Sequence, residues 1–328
     1  MKVKLSLLLI LVLLSISYSR LQSYAAEAPA APAAPAAPAA AEQSQTKAAP
    51  STSLVLDVVT KRGRHHTFGE LIDRLSRCDI VCVGEKHDSE LNHRVQLQII
   101  KALYARDERL GVGMEMFQKP YQPAIDRYLS GKTDEKTFLT ETEYDKRWGF
   151  DWNLYRPIVE FCRRNDLPLS ALNVSSELVK RIHQVGIAGL TDDEKKQLGP
   201  IDLTNKAHRA YWYEKLGQMH GQGKATPEEK ERSYEIMTVW DDYMARSAAD
   251  FKKDRQLARM VVLAGIGHVE QHFDIPDRAA RYSGGKVASV EVLVEGVDDL
   301  SAVRSSGADY VVIVRTAPPR QKHGCHRK

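Results

Sequence analysis

The sequence is short of most features that assign a chain at a glance. Cysteine is scarce: Cys78, Cys82, Cys162 and Cys325 are too few and too unevenly spaced for a disulfide framework. Cys82 lies in an apolar run and Cys162 in a helical one, so free thiols are expected. There is no Cys-x-x-Cys-His, which excludes c-type haem attachment, and no serine elbow, His-Glu-x-x-His or phosphate loop. An excess of positive charge is missing too. The net charge is +4, and Lys2, Lys4 and Arg20 supply three of it within the first 25 residues, which hold no acid. The remainder is near neutral, which argues against nucleic acid as the partner. With 43% hydrophobic and 27% charged residues, neither a multi-span membrane protein nor a wholly disordered chain is expected.

The apolar run Leu5–Ile16 follows two lysines and falls short of the roughly 20 residues a spanning helix needs. Small residues follow, in Ser23-Tyr24-Ala25 and Ala26-Glu27-Ala28. This predicts a signal peptide over 1–25, export to the periplasm or cell envelope, and envelope association through this segment if it is not cleaved. No cysteine precedes Cys78, so no lipidation site is expected. Residues 26–52 are rich in Ala and Pro and read as an extended tether without a core.

From residue 53 the pattern alternates. Runs at 54–60, 79–83, 110–116, 168–173, 260–266, 286–294 and 309–316 read as strands. Between several of them lie helical stripes, such as Leu91, Val95, Ile99 and Ala102, or Tyr155, Ile158, Val159 and Cys162. The expected fold class is α/β: a central, mostly parallel sheet flanked by helices over 53–318. Residues 175–255 hold no convincing strand and read as a helical insert or cap. Ser175 and Pro227-Glu228-Glu229 mark helix starts there. Residues 319–328 read as a polar tail.

Ligands of open α/β sheets bind beyond the carboxyl ends of the strands. Gly84-Glu85-Lys86-His87 follows one predicted strand and Gly265-Ile266-Gly267-His268 another. Glu115 and Phe117 end a third, and Asn173 a fourth. Gly-x-x-His thus occurs twice at strand ends, with carboxylates beside it. His93 follows on the next helix, where a buried structural histidine is the competing reading. Such a set suits divalent metal binding, or acid–base work by a Glu–His pair without metal. A second cluster is aromatic: Tyr144, Trp148, Phe150, Trp152 and Tyr155, interleaved with Lys146, Arg147 and Arg156. It suits a flat anionic ligand such as haem, or simply a helix docking through its rings.

Several segments in fixed order carry a resemblance. They are Val83-Gly84-Glu85-Lys86-His87-Asp88 with Asn92-His93 and Gln96; Gly113-Met114-Glu115-Met116-Phe117 with Gln122; Trp148 to Pro157; and Leu172-Asn173 with Glu177-Leu178-Val179. Trp240-Asp241-Asp242 with Met244-Ala245, then Leu263 to Val269, and Ile275-Pro276-Asp277-Arg278 complete the series. Over residues 53–316 the chain resembles the ChaN-like haem-binding uptake family, in a superfamily with Tiki proteases and erythromycin esterases. The resemblance implies an envelope protein of haem or iron uptake, similar to a homodimer that holds stacked haems by tyrosine and histidine. Tiki-like relatives use their Gly-x-x-His histidines and glutamates for metal-dependent peptide cleavage, and the superfamily site carried onto this chain is Glu85, His87, His93, Glu115 and His268. Two departures stand out. The lipidation cysteine is missing, and Glu270-Gln271-His272-Phe273-Asp274 replaces a glycine-containing turn, which makes His272 an extra candidate ligand.

The sequence therefore predicts an exported protein that binds haem or iron, with Tyr144, Tyr155 and Arg156 as haem-binding candidates. The alternative is a metal-dependent peptidase or esterase. There His87, His93 and His268 would hold a divalent ion such as Mn or Co, and Glu85 or Glu115 would act as the base. An envelope scaffold is the third option.

Overall fold

A computed structural model describes residues 53–220 and 225–316. The expected signal peptide, tether and polar tail lie outside the described residues. Eight strands form one sheet: β1 (Leu54–Thr60), β2 (His65–His66), β3 (Ile80–Glu85), β4 (Leu110–Gln118), β5 (Leu169–Asn173), β6 (Arg259–Gly265), β7 (Val287–Val294) and β8 (Tyr310–Thr316). Their order is β2-β1-β8-β7-β3-β6-β4-β5. β1 runs antiparallel to both neighbours, and the strands from β8 to β5 are parallel. The expected α/β sheet is present, and β2, two residues long, is the strand the sequence pattern did not show.

Buried strands with both faces covered read as continuous apolar runs, and β3 and β6 show why. Val81, Val83, Val261 and Leu263 point to one face. Helices α1 (Phe68–Leu75), α2 (Glu90–Tyr104) and α6 (Trp152–Arg164) cover that face, with α3 (Gln122–Leu129), α4 (Glu135–Glu141) and α5 (Tyr144–Arg147) at its margin. Ile80, Cys82, Met260, Val262 and Ala264 point the other way.

The expected helical insert lies on the opposite side and holds α7 (Ser176–Val185), α8 (Asp192–Leu198), α9 (Lys206–His220) and α10 (Pro227–Asp254), of which α10 covers the sheet and α9 packs on α10. α11 (Ile275–Ser283) packs there as well, and the short α12 (Ala302–Ser305) precedes β8. α10 starts at a capping box, in which Thr226 accepts from the Glu229 N–H and Glu229 accepts from the Thr226 N–H. Met244, Ala248 and Phe251 of α10 pack on the sheet with Ile275 and Ala279 of α11.

This topology makes the site. The chain leaves β3 through α2 on one face and returns to β6, beside β3, from the insert on the other. The carboxyl ends of β3, β6 and β4 therefore open between the two helical layers.

Candidate functional site

Glu85 is the last residue of β3 and 1% exposed. Its Oε1 accepts from His87 Nδ1–H at 2.7 Å, and its Oε2 lies 3.7 Å from His93 Nε2. The turn after β3 brings His87 back over the strand end, where Trp148 and Phe150 flank its ring at centroid distances of 4.7 and 4.9 Å. Its side chain stays 29% exposed, and Nε2 has no hydrogen-bond partner among the described residues. Burial opposes the charged ring. The hydrogen bond and charge of Glu85, with the charge of Glu115, outweigh it and raise the His87 pKa above the usual histidine value.

Below this pair, α2 places His93 against the strand end. Gln96 Nε2 donates to the Val83 carbonyl, which turns Gln96 Oε1 toward His93 Nδ1 at 3.2 Å. The His87 carbonyl receives both His93 Nε2 at 3.2 Å and the Tyr155 hydroxyl at 3.1 Å. His93 is thus a buried brace for the His87 turn.

β4 and β6 pair as far as Met114 and Leu263, and the β4–β5 register shifts between Met114 and Gln118. In this opened stretch Glu115 reaches across, and its Oε2 accepts from the Gly265 N–H at 2.6 Å. Gly265 is needed for close approach. A Cβ there would stand 2.7 Å from His87 Cε1 and 3.6 Å from Glu115 Oε2. Glu115 Oε1 lies 3.5 Å from His268 Nε2, and His268 Nδ1–H donates to Asp241 Oδ1 of α10 at 2.7 Å. Burial opposes the His268 charge, but Glu115 and Asp241 raise its pKa to about 9. Asn173 Nδ2 donates to the Glu115 carbonyl and steadies this end of β4.

Beyond Asp241 lie two residues that sequence reasoning did not single out. His208 of α9 and Asp274, just ahead of α11, are 0% and 1% exposed. Burial pulls the His208 pKa down to about 4, and burial with the Asp241 charge raises that of Asp274. Arg278 Nη2 donates to His208 Nδ1 at 3.1 Å. Asp241, Arg278 and the segment ending at Asp274 lay within motifs quoted above. His208 had no signal, being one histidine in a polar helix.

The structure therefore joins Glu85, His87, His93, Glu115 and His268 around Gly265. Of the other candidates, Tyr155 touches this set from the core, with its hydroxyl on the His87 carbonyl and its ring 4.4 Å from that of His93, and the rest lie elsewhere. Tyr144 and Tyr155 are 1% and 0% exposed and pack on each other in the core, Tyr144 also against Trp152, and burial pushes both phenols up. Arg156 pairs with Glu135 at 2.6 Å on the surface. Arg147 is held by Gln118, Ser176 and Glu177. His272 pairs with Asp309 at 3.1 Å and Asp277 at 3.3 Å. Of the aromatic cluster, Trp148 and Phe150 reach the His87 ring.

Fold and side chains define the class: an α/β protein whose strand ends gather two histidine–carboxylate pairs beneath a helical cap. The chain belongs to the family described as haem-binding uptake, Tiki superfamily, ChaN, whose model matches residues 71–279. Among solved structures it is similar to ChaN of Campylobacter jejuni, described with cofacial haem binding. That match has 18% identity and a TM-score of 0.62, over 79% of this chain and 97% of that one. An erythromycin esterase in its open conformation is similar at 10% identity and a TM-score of 0.43, over 81% of this chain and 83% of that one, too loosely to carry an argument. RETICULATA-RELATED 5, chloroplastic, of Arabidopsis thaliana is 24% identical over 135 residues. The match takes in 39% of this chain and 18% of that protein, so the chain spans under a fifth of that relative's length.

Proposed function

We propose that this chain binds haem at the His87 corner, with His87 Nε2 as the iron ligand and Trp148 and Phe150 beside the macrocycle. One observation carries the reading: Glu85 holds the Nδ1 proton of His87 at 2.7 Å, while Nε2 has no hydrogen-bond partner among the described residues and the side chain is 29% exposed. A ligating histidine is oriented in this way, and the carboxylate makes its free nitrogen a stronger donor. Trp148 and Phe150, which flank the His87 ring, would exclude water from the iron ligand. Burial keeps Tyr144 and Tyr155 as neutral phenols, so the brace of His93 and Tyr155 on the His87 carbonyl is positional. Haem bound there would supply a redox-active iron. Membership of a haem-binding family and the fold shared with Campylobacter ChaN support the reading.

The proposal extends to export into the periplasm or envelope, a role in haem or iron uptake or handling, and a homodimer that closes the open side of the His87 corner. The basic and apolar start of the sequence supports export. Titration of purified protein with haemin tests the binding step. A saturable Soret shift that His87→Ala abolishes is expected, and its absence at micromolar protein sinks the reading.

A second reading has its own observation. Glu85–His87 and Asp241–His268, with Glu115 3.5 Å from His268, form two histidine–carboxylate pairs across one opening, an arrangement suited to metal-assisted hydrolysis. Peptide or ester turnover that needs added manganese or cobalt and is lost in His87→Ala would favour it. Inert protein with either ion would remove it.

A further inference from the structure

Three buried side chains from separate elements meet beyond His268: His208 of α9, Asp241 of α10 and Asp274 ahead of α11. His208 Nε2 lies 3.4 Å from Asp274 Oδ1 and 3.7 Å from Asp241 Oδ2. A ligand atom from each of the three residues lies within 4.8 Å of the others. His208 Nε2, Asp241 Oδ2 and Asp274 Oδ1 all lack a hydrogen-bond partner among the described residues, although none of the three residues is more than 1% exposed. Leaving three such atoms unsatisfied is costly, and two carboxylates side by side add repulsion.

Separation decides what could satisfy them. At 3.4 and 3.7 Å direct N–H···O bonds are weak. A bridging water about 2.8 Å from each atom would set them about 4.5 Å apart at tetrahedral angles. A metal ion with bonds of about 2.1 Å sets its ligands about 3.4 Å apart. The two separations measured from His208 Nε2 match the ion.

We propose that His208, Asp241 and Asp274 bind one divalent first-row metal ion, which ties the helical insert to the loop after His268. One imidazole with two carboxylates suits Mn2+, Fe2+ or Zn2+ over Ca2+ or Mg2+, which take oxygen ligands. Asp241 then faces two ways: Oδ2 holds the ion while Oδ1 accepts from His268 Nδ1–H at 2.7 Å. The ion thereby orients a pocket residue without entering the pocket. This set shares no residue with His87, His93 and His268, the ligands expected from the sequence, and does not depend on haem being the pocket's ligand.

Arg278 sets a condition. It donates to His208 Nδ1, so without an ion the ring carries its one proton on Nε2. An ion on Nε2 needs that nitrogen's lone pair, so the ring's proton would move to Nδ1 and the Arg278 contact would be given up.

The test strips the full chain with a chelator, reloads it separately with MnCl2 and ZnCl2, desalts it, and measures bound metal by mass spectrometry. One ion per chain is expected. Asp274→Asn and His208→Gln, shown to be folded by circular dichroism, should each retain less than a tenth of it, and His87→Ala should retain it in full. The proposal is overturned if the folded chain holds no ion, if Asp274→Asn holds as much as the parent, or if metal is lost with His87→Ala instead. Asp274→Asn, nearly isosteric, decides the matter should His208→Gln fail to fold.

Discussion

Gly265→Ala is the sharpest single perturbation of the site, because its effect can be worked from distances. The backbone there, at φ −55° and ψ 146°, is open to any residue, so the change brings no conformational strain. The added Cβ would stand 2.7 Å from His87 Cε1 and 3.0 Å from its Nε2. Neither side gives way freely. Gly265 is pinned by its N–H on Glu115 at 2.6 Å and by pairing with Glu85, while His87 is held at 2.7 Å by Glu85 and flanked by Trp148 and Phe150. Overpacking of this kind costs about 1–3 kcal/mol. If the strain is relieved by swinging His87 out, haemin affinity should fall by roughly 5- to 150-fold. Gly267→Ala is the control two residues away, since its Cβ would meet nothing within 4 Å. Haemin titration and urea unfolding of both variants provide the assay. Equal stability and affinity for the two alanines would refute the placement of His87 over Gly265.

Other expectations follow from the same structure. Glu85→Gln removes the charge from the hydrogen bond to His87 and should weaken haemin binding by about 1.5–3 kcal/mol, read as a shifted Soret titration midpoint. Thr226→Ala deletes half of the capping box of α10 and should cost about 1 kcal/mol in urea unfolding, with haemin affinity unchanged. Cys82 and Cys162 are wholly buried and burial pushes both thiols up, so neither should react with a thiol reagent until the chain is unfolded by denaturant.

Much of the fold was legible because its signals are local. The unbroken apolar runs of β3 and β6 reflect burial on both faces, and Ser175 and Pro227-Glu228-Glu229 stand at helix starts, as read from the sequence. The two-residue β2 leaves no such pattern. In the site, Gly84 to His87 and Gly265 to His268 could be read because strand, turn and side chain are contiguous. Residues delivered by packing could not. Nothing in a polar helix distinguishes His208 from a surface histidine until α9 meets α10 and α11. Aromatic density misled for a related reason. Five rings within twelve residues fit a cavity wall or a core equally well, and Tyr144 and Tyr155 belong to the core while Trp148 and Phe150 reach the opening.

The central claim is that the His87 corner is a haem site. Its most direct test is a haemin titration of the purified chain, followed at the Soret band, beside His87→Ala and Tyr144→Phe. The account predicts saturable binding by the parent chain and by Tyr144→Phe, and its loss in His87→Ala. Binding that survives in His87→Ala and disappears in Tyr144→Phe would contradict it.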